Sequence, residues 1–279
     1  MTKVITKNDL EQFAVYLYES EKSQNTIDKY LRDLRAFLAF ADHARLTKAL
    51  LLEYKAKLMK DYAVASVNSM IAALNVFLRF LGLQELCLRH LKVQKQTYCP
   101  EEKELTKQEY LALVHTAEKR HNERLSLVLQ TICGTGIRVS ELSFITVEAV
   151  QRGEAIVSCK NKTRTVFIVS KLCKKLLNYA KEHRIRSGSI FVTPSGKPLD
   201  RSNIWSDMKK LCKEAGVNPK KVFPHNLRHL FARTFYGIEK DIAKLADILG
   251  HSNINTTRIY IMTTGVEHRR KIETMRLIL

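Results

Sequence analysis

"AIVSCKNKTRTVFIVS", residues 155–170, places two β-branched runs on either side of a basic "KNKTR". β-Branched runs favour extended backbone, and a short polar link between two of them reads as a β-hairpin with a cationic turn. Most of the remaining chain repeats apolar residues at three- and four-residue steps, the period of helices. The fold class expected is therefore mainly α, with a small β-hairpin or sheet in the C-terminal part (α+β).

Working outward, the first eighty-odd residues read as four amphipathic helices. Thr6 and Asp9 resemble a capping box ahead of Leu10, Phe13 and Leu17. Ile27, Leu34 and Phe37 mark the second helix, and Thr47 opens the third. The fourth is expected to run from a Ser66 cap to Gly82. "LKVQKQTYCPEEKE" loses the period and reads as an extended linker over 91–104. Thr106 and Glu109 then signal the first helix of a second domain over 105–279, after a first domain over 1–90. Short helices are expected for "HNLRHLFARTFYG", "DIAKLADILGH" and "NINTTRIYIM".

Lys and Arg number 47 against 28 Asp and Glu, a net charge of +19, of which +14 falls after residue 100. An excess of this size favours a polyanionic partner, nucleic acid above all. The charges are spread along the chain rather than gathered on one amphipathic helix, which argues against a membrane-surface role. No apolar run approaches the roughly 20 residues of a membrane span, and the start lacks a secretory apolar region. A cytoplasmic protein is expected. Cys87, Cys99, Cys133, Cys159, Cys173 and Cys212 are scattered singly, which suits reduced thiols rather than zinc.

Four segments carry polar groups that packing alone does not explain. They are "GTGIRVSEL" with Arg138 and Glu141, "CKNKTR" with Lys160, Lys162 and Arg164, "HNLRH" with His225 and Arg228, and "LGHSNINTTRIY" with His251 and Tyr260. His225 and His229 have the spacing of a metal pair, but Arg228 between them would repel a divalent cation. No metal or other cofactor is expected. Taken together, the segments supply what phosphoryl transfer needs. Guanidiniums can neutralise phosphate oxygens, a tyrosine can attack phosphorus, and a lysine can protonate the leaving oxygen.

The order Arg, Lys, His-x-x-Arg, His, Tyr resembles the tyrosine recombinase (phage integrase) family, in its compact Xer-like type. "TGIRVSEL", "HNLRH" and "LGHSNINTTRIY" match its motif boxes. The resemblance implies a two-domain DNA clamp, with a helical core-binding (SAM-like) domain and a tyrosine recombinase catalytic domain. It implies Tyr260 as nucleophile toward a DNA 3′-phosphate, Arg138 and Arg228 as its phosphate clamp, and His225 as proton carrier. His251 would bond a non-bridging oxygen, and Glu141 would orient Arg138. The hairpin is one residue shorter than the family's usual spacing, so Lys160 is the better match for the leaving-group acid and Lys162 the alternative. Lys162 and Arg164 are expected on the DNA.

The same resemblance implies a double-stranded DNA recombination site, a tetramer on two duplexes, and "VEHRRKIETMRLIL" as a helix docking in trans through Leu277, Ile278 and Leu279. The resemblance leaves open whether a partner recombinase is also required. The rivals are a type IB topoisomerase, which relaxes supercoils without a partner duplex, and a catalytically silent DNA-binding protein. Tyr236 is the rival nucleophile, but it lacks the preceding Leu-Gly-His.

Overall fold

The computed structural model describes residues 4–93, 101–159, 162–193, 195–262 and 273–275. The chain divides into two compact units, residues 1–95 and 96–279.

The first unit is helical. It comprises α1 (Lys7–Glu19), α2 (Gln24–Ala41), α3 (Lys48–Asp61) and α4 (Val64–Phe80). Thr6 caps α1 through a reciprocal pair with Asp9, as the spacing suggested, and the Thr47 hydroxyl accepts from the Leu50 amide. The fourth helix departs from expectation. It begins at Val64, with Ala63 at its N-cap and no side-chain cap. Nothing in Ala63–Val64–Ala65 breaks a helix, so the Ser66 and Val67 amides already bond to the Ala63 carbonyl. The apolar stripes meet in a core around Phe13, Phe37, Leu51 and Phe77, where Phe13 and Phe77 pack edge to face with centroids 5.0 Å apart. Asn75, buried in α4, clamps the backbone of Leu88: its amide donates to the Leu88 carbonyl at 2.8 Å and its oxygen accepts the Leu88 N–H at 2.8 Å.

The second unit is built on α6 (Glu123–Thr135), packed against α5 (Lys107–Lys119), α8 (Ser170–Glu182) and α10 (Pro224–Glu239). Thr106 and Glu109 form the capping box of α5. A 3₁₀ segment, Val139–Phe144, and α7 (Val147–Arg152) lead to the hairpin, β1 (Glu154–Cys159) and β2 (Lys162–Phe167). The strands are antiparallel, with Ala155 opposite Val166 and Val157 opposite Arg164. The two-residue period turns Ala155, Val157 and Val166 into the core and leaves Ile156 and Phe167 in solvent. Arg164 therefore lies on the inward face. Then come α9 (Arg201–Ala215), α11 (Ile242–Leu249) and α12 (Ile254–Tyr260). The stretch expected to give short helices includes α10, which at 16 residues is of ordinary length.

This is the expected class, mainly helical with one two-stranded antiparallel sheet among the described residues. The segment 101–104 is fastened to the second unit, because Asn226 donates to the Lys103 carbonyl and Glu104 pairs with Arg233. No helix among the described residues is long and apolar enough to cross a membrane. Lys160, Cys99, the expected C-terminal helix except its turn at Glu273–Met275, and the tail Leu277, Ile278 and Leu279 lie outside the described residues.

Candidate active site

The first two turns of α10 set His225, Arg228 and His229 on one face, because residues three and four apart are helical neighbours. Arg228 is 1% exposed. Its Nη1 donates to the Gly136 carbonyl and its Nη2 to the Leu249 carbonyl at 2.6 Å. Two main-chain oxygens thus fix the guanidinium. Burial and the charge of Arg138 pull its pKa down to about 10, so it stays charged at neutral pH.

Gly136 makes this possible. It ends α6 in the left-handed region at φ +66°, where an added Cβ would stand 2.4 Å from Cδ1 of Phe231. Only glycine turns the chain there and brings its carbonyl to Arg228.

Nη2 of Arg228 also lies 3.1 Å from Nε2 of His251. A guanidinium only donates, so Nε2 must be the acceptor and the proton sits on Nδ1. Nδ1 in turn donates to the hydroxyl of the buried Thr257 at 2.9 Å. Burial and the charges of Arg228 and Arg138 lower the His251 pKa to about 4, which fits this neutral tautomer.

Tyr260 closes α12 and is 6% exposed. Three imidazoles surround its ring: His229 stacks at 4.1 Å, His251 is tilted at 4.9 Å, and His225 is edge-on at 5.2 Å. The Arg228 guanidinium carbon lies 5.9 Å from the ring centre. Burial, then His225 and Arg228, bring the His229 pKa to about 4. His225, at the solvent edge, is lowered by partial burial and then by Arg228, Arg138 and Arg201. These histidines are neutral at pH 7.

A second cluster adjoins the first. Glu141, with 2% of its side chain exposed, receives Arg138 Nη1 at 2.8 Å and the Arg138 backbone N–H at 2.9 Å. It also receives both terminal nitrogens of Arg164, at 3.0 and 2.7 Å. Burial alone would raise the carboxyl pKa, but the hydrogen bonds from Arg164 and Arg138 outweigh it and leave it near 2. Arg164, expected on the DNA, has all three guanidinium nitrogens engaged inside the protein, the third being Nε donating to the Ile248 carbonyl at 3.2 Å.

The structure thus brings Arg138, Glu141, Arg164, His225, Arg228, His251 and Tyr260 to one place. Lys160 is outside the described residues, and Lys162 begins β2. Tyr236 lies two turns along α10 from Arg228, with Lys240 over its ring at 5.8 Å. No group of three or more His, Cys, Asp or Glu suited to a metal occurs among the described residues. Sequence reasoning missed His229 and Thr257 as neighbours of the tyrosine; their signals were the i, i+4 step from His225 and the i, i+3 step to Tyr260.

The pattern of the phage integrase family matches residues 103–265, and that of its N-terminal SAM-like domain matches residues 10–85. The chain belongs to the phage integrase family. As a phage integrase family member it is 31% identical over 288 residues to the tyrosine recombinase XerA of Pyrococcus furiosus, covering 99% of this chain and 96% of that one. The crystal structure of XerA recombinase aligns with it at 26% identity and a TM-score of 0.56, over 99% of this chain and 100% of that one. A lambda integrase tetramer bound to a Holliday junction shares the integrase fold at TM-score 0.73 and 17% identity, over 92% of this chain and 78% of that one.

Proposed function

We propose that this chain is a site-specific DNA recombinase that cuts and rejoins strands through a 3′-phosphotyrosyl intermediate. The observation that carries the reading is the setting of Tyr260, whose ring lies among three neutral imidazoles and the fixed charge of Arg228. The neighbouring carboxylate, Glu141, is saturated by two arginines, so this donor set is built for an anion rather than a cation.

In the proposed reaction the Tyr260 oxygen attacks the scissile phosphorus and the P–O bond to the 5′-oxygen breaks. Arg138 and Arg228 neutralise the non-bridging oxygens. His225, neutral and at the open edge, takes the phenolic proton. His251 donates to the phosphate in its other neutral tautomer, with Nε2 turned from Arg228 and carrying the ring's one proton while Nδ1 accepts from the Thr257 hydroxyl. Lys160, or Lys162 in its place, protonates the departing oxygen. The phosphotyrosyl bond conserves the phosphodiester energy, so a 5′-hydroxyl of a second duplex reverses the step without ATP and exchanges strands through a Holliday junction.

By the same proposal residues 1–90 form the core-binding domain, 91–104 the linker and 105–279 the catalytic domain. The two domains clamp a double-stranded recombination site, four copies join two duplexes through C-terminal segments in trans, and the protein works in the cytoplasm. A type IB topoisomerase is not favoured, since the similarity to tyrosine recombinases runs over nearly the whole chain.

The test is covalent capture. Incubation with a library of nicked random-sequence duplexes, denaturation and peptide mapping should yield DNA joined at Tyr260, and Tyr260→Phe should yield none. Adduct formation by Tyr260→Phe at the native rate would overturn the reading.

A further inference from the structure

Arg164 has no counterpart in the roles above, yet its geometry is the most constrained in the second cluster. It points inward from β2, with 12% of its side chain exposed. Its stem crosses Gly250 so closely that an added Cβ there would stand 2.7 Å from Arg164 Cδ, and Gly250 is itself left-handed at φ +65°. The guanidinium bonds both oxygens of Glu141 in a fork, while Nε holds the Ile248 carbonyl three residues before His251.

Each Glu141 oxygen therefore already receives two donors, one from Arg164 and one from Arg138. Arg138 keeps a single side-chain bond to the carboxylate. Its Nη2 is left with a marginal 3.5 Å approach to the Gly250 carbonyl, and 37% of the side chain faces solvent. We propose that Arg164 is a positioning residue: by occupying the forked face of Glu141 it stops that carboxylate from closing on Arg138, which stays available to grip the scissile phosphate. This rests on the strand-transfer reading above. Without Arg164, one carboxylate faces one guanidinium, and a forked pair between them is the favoured geometry. That pair would turn Arg138 away from the phosphate and cancel its charge. With Arg164 present, two guanidiniums share one carboxylate and a positive charge remains.

The experiment uses the full chain and a nicked duplex recovered by the covalent capture described above. The duplex is prepared with either a normal scissile phosphate or a methylphosphonate, in which a methyl group replaces one non-bridging oxygen and removes the negative charge. On the phosphate, Arg164→Met should slow adduct formation by roughly 10- to 100-fold, below the roughly 100- to 1,000-fold cost of removing one anion-stabilising donor outright because Arg138 is turned aside rather than lost, with DNA affinity little changed. On the neutral methylphosphonate the same variant should fall within about fivefold of wild type, because the clamp has less charge to neutralise. A purely structural defect would lower both substrates alike. The double variant Arg164→Met/Glu141→Gln carries no buried unpaired carboxylate and guards against misfolding of the single variant. It should react no more slowly than Glu141→Gln alone. Native-rate cleavage of the phosphate by Arg164→Met, an equal loss on both substrates, or additive losses in the double variant would overturn the proposal. If wild type itself forms no adduct, the strand-transfer reading fails and this proposal with it; adduct from wild type separates the two failures.

Discussion

The imidazole of His229 lies parallel to the phenol of Tyr260, 4.1 Å away with 13° between the planes. Stacking of this kind adds about 0.5–1.5 kcal/mol beyond the area it buries. In the free chain it holds the ring in a buried pose, so the phenol should resist reagents from solvent. Nitration by tetranitromethane, followed by peptide mapping, should modify Tyr18 and Tyr62, 74% and 50% exposed, well before Tyr260 at 6%. His229→Ala should raise the Tyr260 rate by roughly 2- to 10-fold, the equivalent of losing the stacking term. Equal reactivity of Tyr260 and Tyr18 in wild type would contradict the buried pose.

Glu141 balances two guanidiniums from a site with 2% side-chain exposure. Glu141→Gln should cost roughly 2–4 kcal/mol of stability, toward the lower end for a broken buried pair because Arg138 retains access to water. Chemical denaturation of the wild type and variant gives the difference directly. A change below about 0.5 kcal/mol, the level of ordinary surface substitutions, would mean that the network carries no stability.

Gly136→Ala combines a left-handed φ of +66° with a 2.4 Å approach to Phe231. The backbone term alone is about 1–2 kcal/mol, and the clash must be relieved by moving the ring or the carbonyl that holds Arg228. Both melting temperature and adduct formation should fall, whereas Gly216→Ala, left-handed but with open space around it, should lower only the former.

Acid should destabilise the second unit. His229 and His251 have native pKa values of about 4, below the ordinary imidazole value of 6.5. The unfolded chain therefore binds more protons than the native one between these values, and stability falls as pH drops from about 6.5 toward 4. Allowing for partial exposure, the two together should remove about 1–2 kcal/mol between pH 7 and pH 5, or roughly 2–8 °C of melting temperature. His229→Asn/His251→Asn should flatten that slope; an unchanged slope would place the titration elsewhere.

In the first unit, Asn75→Leu removes both amide bonds to Leu88 and leaves buried main-chain groups unpaired. A loss of about 2–3 kcal/mol is expected by denaturation. A loss below about 0.5 kcal/mol, the level of ordinary surface substitutions, would show that water replaces the amide.

Much of this was legible in the residues. Thr6 with Asp9 and Thr106 with Glu109 announce helix starts because the capping chemistry is local. The hairpin is legible because β-branched runs flank a polar turn. Ser66 misled because a capping residue is also tolerated inside a helix, and the true start at Val64 is set by main-chain bonds to Ala63. At the site, the Arg, His and Tyr boxes stood out because packing gives no reason for them. Arg164 read as a DNA contact because a cation near a turn is ordinarily solvated. Only the strand register, which pairs it with Val157, turns it toward Glu141. Thr257 was marked only by its i, i+3 step to Tyr260, and its bond to His251 exists only once α12 has folded back.

That short helix has a mechanical consequence. α12 carries both the Thr257 hydroxyl that steadies His251 and, one turn later, the phenol of Tyr260. Any displacement that swings the phenol outward toward a backbone must tug on the threonine too, loosening the imidazole from its tautomer at the same moment. In the proposed strand transfer, arming the attacking oxygen and freeing the neighbouring ring would be geared to a single stroke of seven residues.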